Sequence, residues 1–184
     1  PDNDALREIV NQLRKHGDAK RTCLVSNRPA KREFGRLIAS RRNQHLNRNS
    51  FLGFHFLHTP LNLVSLKVRD VLNLSRGNTG SPFYPRLIYA PYGGFFFAKE
   101  LVREVGLPNG RLFLYSDDHE YTYRFTRHGF PIYLVPSSTV HDLDVSWHSV
   151  KIMRRRVALF NAINDKTRLF YFLRNRTYFE VTHF

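Results

Sequence analysis

The sequence is poor in cysteine. Cys23 is the only one in 184 residues, so no internal disulfide can form. With 42% hydrophobic and 14% aromatic residues, a chain of this length buries a core without such a staple. The composition therefore fits a reducing compartment and points to the cytosol. No apolar run approaches the roughly 20 residues that cross a bilayer. The first residues, PDNDALREIV, have neither the basic start nor the apolar centre of a secretion signal. Repeats, low-complexity tracts and long linkers are also missing. A single soluble or peripheral unit spanning residues 1–184 is the expectation.

Acidic side chains are scarce as well. Lys and Arg number 29 against 15 Asp and Glu, a net charge of +14. A surplus of that size favours a polyanionic partner: nucleic acid, an anionic membrane face or a phosphorylated substrate. The densest basic stretches are RPAKREFGRLIASRRNQHLNR at 28–48 and KIMRRR at 151–156. A solvated surface kept for solubility is the plain alternative for either one.

What the chain does contain is an alternation of helical and strand-like segments. DALREIVNQLRKH, 4–16, puts Leu6, Ile9, Val10 and Leu13 on one helical face, with Asp4 as N-cap and Gly17 as stop. TCLVSN, FLGFHFL and PIYLVP read as strands, and LIYAPYGGFFF as strand, turn and strand. SRGNTGSPFYP, 75–85, is a loop on its glycines and prolines. Helices are expected from Ala98 to Val105, from the acidic cluster to Gly129, and over 149–163 and 167–181. That order predicts an α/β layered fold with a parallel or mixed sheet. An open α/β sheet normally starts with a strand, whereas this sequence starts on a helix, so the front of the domain is expected to be missing.

Against the basic background, LYSDDHEYTYR at 114–124 gathers Asp117, Asp118 and Glu120 at a helix start. Helix capping accounts for two of them: Asp117 as cap, and Glu120 reaching back as in a capping box. Asp118 is left over. A carboxylate at a helix N-terminus is biased towards ionisation, while a close like charge pushes one member of the pair the other way. Such a pair can leave one Asp as a proton acceptor near neutral pH.

Four segments occur in a telling order: GGFFFAKELVREVGLPN, LFLYSDDHEYTYRFTRHG, IYLVPSSTVHD and RLFYFLRNRTYF. Over about residues 86–180 the chain resembles the C-terminal half of family 2 glycosyltransferases with the GT-A fold, in the galactofuranosyltransferase and rhamnosyltransferase-like branch. The resemblance implies a GT-A-like mixed sheet flanked by helices, lacking its N-terminal nucleotide-binding portion, and a helical C-terminal segment over about 149–184. It implies Asp118 as general base, with Asp117 and Glu120 shaping the site, and His141 as a metal ligand. Arg174 and Asn175 would lie near the substrates, and Gly93 and Gly94 would let backbone approach the donor. The implied cofactor is Mn²⁺ or Mg²⁺, with His141 better suited to Mn²⁺. The implied partners are a nucleotide-sugar donor, a glycan or polyprenyl-linked acceptor, and an anionic membrane surface at the cytoplasmic face.

Plainer readings stand beside these. Gly93 and Gly94 equally make a turn, Arg174 a helix-face charge, and His141 a strand-end residue bonded to Asp142 or Asp144. Asp2 and Asp4 spell a DxD, the metal motif that the family places at the end of an apolar strand. No strand precedes them here, so they are read as flanking and capping the first helix. A nucleic-acid-binding module would use the charge, with Phe54 and Phe56 as stacking platforms, but gives the acidic cluster no place. A metal-dependent phosphoryl-transfer enzyme would make Asp117, Asp118 and Glu120 ligands.

Overall fold

The computed structural model describes residues 3–15, 20–44, 50–51, 54–55, 85–142 and 166–183. They form a mixed α/β arrangement. The strands are β1 (Cys23–Asn27), β2 (Ser50–Phe51), β3 (Phe54–His55), β4 (Arg86–Leu87), β5 (Phe95–Phe96) and β6 (Ile132–Thr139). The helices are α1 (Asn3–Lys15), α2 (Arg32–Ser40), α3 (Val102–Val105, entered through a 3-10 turn at Lys99–Leu101), α4 (Asp117–Arg127) and α5 (Lys166–His183).

The main sheet has the order β4-β6-β1-β5. Its central pair, β1 and β6, is parallel, and both edge strands run antiparallel to their neighbours. Central parallel strands are covered on both faces and read as unbroken apolar runs. CLVS and IYLV do so. Cys23, Val25, Ile132 and Leu134 face one layer, where Phe34 of α2, Val105 of α3 and Tyr121 and Phe125 of α4 meet them. Leu24 and Val135 face the other layer, against Ile9 of α1. Burial pushes the Cys23 thiol up to about 12, so it stays protonated and inert.

Phe125 shows how aromatics fill this core. It is fully buried, with edge-on contacts to Phe97 at 4.7 Å, Tyr121 at 5.3 Å and Phe95 at 5.5 Å between ring centroids. Truncating such a ring to alanine costs about 3–5 kcal/mol.

Several expectations need correction. Helix α1 begins at Asn3, so Asp4 lies inside its first turn and pairs with Arg7 at 3.4 Å instead of capping. Its buried face is Ala5, Ile9 and Gln12, whereas Leu6 and Val10 are exposed. The small Ala5 lets the helix lie close on the sheet, where Ser138 of β6 donates to its carbonyl at 2.9 Å. The run 51–57 is not one strand: β2 and β3 pair antiparallel with each other, Ser50 opposite His55. The strand, turn and strand expected in LIYAPYGGFFF are present as β4 and β5, which lie on β6 and β1 at opposite edges of the sheet. Strand β6 runs past the expected PIYLVP to Thr139 because Pro136 is absorbed at a register shift: Ser26 aligns with Val135, and Asn27 with Thr139. A residue without an N–H is tolerated at such an irregularity. The basic segment contains α2, whose Phe34, Leu37 and Ile38 pack on the core. Gly17, the loop residues 75–84 and the helix over 149–163 lie outside the described residues, as do Asp2, Phe56 and Asp144.

Candidate active site

The sequence enters α4 through an unusual turn. Tyr115 and Ser116 have φ of 65° and 59°, two successive side-chain-bearing residues in the left-handed region that favours glycine. Each such residue costs on the order of 1 kcal/mol or more and persists only when its surroundings impose it. The constraint comes from α5. Asn175 is fully buried, and its side-chain N–H groups donate to the Leu114 carbonyl at 2.5 Å and the Tyr115 carbonyl at 3.0 Å. Its oxygen accepts from Arg174 Nε at 2.8 Å, while Arg174 Nη2 donates to the Arg111 carbonyl at 2.6 Å. The two residues expected near substrate thus hold the backbone that precedes the acidic cluster.

The turn makes Ser116 the residue before the helix, with no side-chain cap, so the capping-box reading of Asp117 and Glu120 does not hold. The three carboxylates diverge instead. Glu120 is buried, with Oε2 3.1 Å from Arg124 Nη2 and Oε1 3.6 Å from His183 Nε2. Two residues on from Asp118, it points about 200° around the helix. Arg124 also donates to the carbonyls of Val105 and Leu107, so this ion cluster ties α3 and α5 to α4, away from Asp118. Asp117 is half-buried, and its carboxyl lies above the usual carboxylate range, first because of burial and second because of the Asp118 charge. Its backbone carbonyl accepts from the Tyr92 hydroxyl at 3.1 Å.

Asp118 retains 24% side-chain exposure, and its Oδ1 accepts the His119 backbone N–H at 2.8 Å. Opposite it stands Lys31, in the turn leading into α2. Burial lowers the Lys31 ammonium below its ordinary range, and the strongest opposing influence is the Asp118 charge. Arg28 and Asp142 also act on Lys31 and form an ion pair with each other. Arg28 follows β1 directly and Asp142 follows β6, so the cluster occupies the carboxyl ends of the two parallel strands. That is where open α/β sheets bind ligands.

Gly93 and Gly94 border the same place. A Cβ on Gly93 would come within 3.0 Å of Arg28 Nη1. Gly94 has φ +77°, would place a Cβ 3.0 Å from Ser26 Cβ, and its carbonyl accepts the Ser26 N–H at 2.9 Å. Glycine is thus required there by the turn and by close packing on β1. Thr122 secures this loop to α4, accepting the Ala90 N–H at 2.9 Å.

The expected metal shell does not come together among the described residues. His141 is exposed, Asp142 is engaged by Arg28, and Asp4 is held on the far helix by Arg7. No group of three or more His, Cys, Asp and Glu side chains is disposed to hold a metal among the described residues. The divergence of Glu120 from Asp118 likewise counts against a phosphoryl-transfer site in which Asp117, Asp118 and Glu120 share a cation.

Sequence reasoning passed over Lys31, Tyr92, His119 and Arg176. Lys31 was submerged in a basic run, His119 was overlooked between the carboxylates, and Tyr92 and Arg176 approach this region only through folding. Arg176 did carry a signal, its four-residue spacing from Glu180 on one helix face. No family model, curated protein or solved structure matches the chain.

Proposed function

We propose that the chain belongs to the catalytic domain of an inverting glycosyltransferase of GT-A type, with Asp118 as general base. The observation that carries the reading is the setting of Asp118: a partly exposed carboxylate, beyond a strained turn, facing Lys31 at the carboxyl ends of the parallel strands. The ordered motifs over about residues 86–180 and the mixed α/β sheet support it. In the proposed step an acceptor hydroxyl oxygen bonds to the anomeric carbon of a nucleotide-diphosphate sugar. The bond to the diphosphate breaks and its electron pair leaves with the nucleotide. The hydroxyl proton passes to Asp118, and the anomeric centre inverts.

Burial and the Asp118 charge disfavour the ionised form of Asp117, so the two adjacent carboxylates are inequivalent. Lys31 favours the ionised form of Asp118. A divalent cation, Mn²⁺ or Mg²⁺, belongs to the resemblance; the proton transfer proposed here does not pass through it. The acceptor class that fits is a glycan or polyprenyl-linked hydroxyl. The setting that fits is the cytoplasmic membrane face, reached through the basic surface.

The test is release of nucleoside diphosphate from a panel of nucleotide-sugars, including galactofuranose and rhamnose donors, with glycan acceptors. The assay uses the full-length protein, where turnover is expected for the wild type and a loss of about 10²-fold or more in Asp118→Asn, the usual contribution of a general base. Retained turnover in that variant removes Asp118 from the chemistry, and no turnover across the panel argues against the class.

A further inference from the structure

Behind Asp118 runs a line of polar side chains with no part in the step above. Glu180 and Arg176 lie four residues apart on α5, with Arg176 Nε 2.5 Å from Glu180 Oε1. Arg176 Nη1 in turn lies 3.1 Å from His119 Nδ1. A guanidinium has five N–H donors and no acceptor, so Nδ1 must be the accepting nitrogen. The ring proton then resides on Nε2. That nitrogen faces Asp118, 3.9 Å from Oδ1.

The ring is held on its other sides as well. The Tyr89 ring lies 4.4 Å from the imidazole and the Phe179 ring 6.3 Å, centroid to centroid. Arg176 lies over both rings, at 6.0 Å and 5.6 Å. Glu180 is buried, which fixes the guanidinium in turn.

We propose that His119 is a positioning residue for Asp118, locked by Arg176 in the tautomer that turns an N–H towards the carboxylate receiving the acceptor proton. At 3.9 Å the contact exceeds hydrogen-bond length, so the ring acts as an oriented dipole while the His119 backbone amide holds Oδ1. A positive dipole end favours the charged carboxylate and keeps the base deprotonated until the acceptor arrives. The other groups around the pair are Asp117 on the same helix, Lys31 ahead of α2 and Tyr92 after β4. On the His119 side stand Tyr89, Arg176 and Glu180, with Glu33 of α2 acting on Tyr89.

This inference rests on Asp118 being the base, but its first measurement does not. Long-range proton–nitrogen correlation on the full chain at neutral pH reads the tautomer directly, with sequential assignment picking His119 out of nine histidines. The expected result is an unprotonated Nδ1 and a protonated Nε2, with Arg176→Met mixing the two tautomers. A proton on Nδ1, or a doubly protonated ring, in the wild-type chain overturns the proposal. Carbon-13 titration of the Asp118 carboxyl is the second measurement, and its midpoint should move up in His119→Phe, which retains an aromatic ring beside Tyr89. An unmoved midpoint also overturns it. If the lock and the coupling are found but Asp118→Asn still transfers sugar, the functional reading fails and the His119–Asp118 coupling stands.

Discussion

At neutral pH an ionised Asp117 meets two penalties, partial burial and the neighbouring Asp118 charge, and both raise its pKa above the 3.8 of an ordinary aspartate. The folded chain therefore binds more protons than the unfolded chain in the window from 3.8 up to the folded value. Stability falls as pH rises through that window. Asp117→Asn should accordingly raise the urea midpoint at about pH 7 and give no gain at about pH 3, below both values. A lowered midpoint at neutral pH would mean that the carboxylate is favoured where it stands. Asp118 differs from its neighbour through its partners, Lys31 and the His119 amide, although the two residues are adjacent. The sequence made Asp118 conspicuous by leaving it over once capping was assigned. The capping assignment was itself mistaken, since only the backbone angles at Tyr115 and Ser116 show where the helix entry lies.

Between elements, the packing of α5 on α4 decides the site. Asn175→Ala removes both donors from the Leu114 and Tyr115 carbonyls and frees the strained turn. A loss of about 2 kcal/mol in chemical denaturation is expected, with faster amide exchange concentrated at 114–118. A uniform change across the chain would show that the turn needs no clamp. Helix α5, Lys166–His183, was legible as 167–181 because a long aromatic segment without breakers has few alternatives. The central strands were legible for the same reason, as short apolar runs between turns. Helix α2 was not, because Arg and Lys drew the reading towards surface, while its Phe34, Leu37 and Ile38 have the spacing of a helical face. The two-residue edge strands and the contact between His119 and Arg176 depend on tertiary packing, which a single sequence does not record.

For the whole molecule, exposed aromatics gather beside an arginine on one surface. Phe113 is 73% exposed and Phe170 58%. Tyr171 lies between their rings, 6.0 Å from one and 5.6 Å from the other, and the Arg174 guanidinium sits 4.9 Å above the Tyr171 ring. No helix among the described residues is long and apolar enough to cross a membrane. Aromatic rings beside arginine suit an interfacial contact, where each cation near anionic lipid contributes about 1 kcal/mol. Co-sedimentation with phosphatidylglycerol vesicles is therefore expected, weakening with salt and in the Phe113→Ser, Phe170→Ser double variant. Equal binding to neutral phosphatidylcholine vesicles, or indifference to the double variant, would assign the patch to another partner.

The partnership of Arg176 with His119 spans 57 positions of the chain, and Asn175 reaches back farther still, 61 positions to Leu114. On a translating ribosome the acidic segment is complete well before the helix that clamps it has been made. Until that helix emerges, the Asn175 bonds that hold the turn at Tyr115 and Ser116 cannot form. The nascent chain thus carries the carboxylates of the proposed site before the clamp that fixes their helix entry.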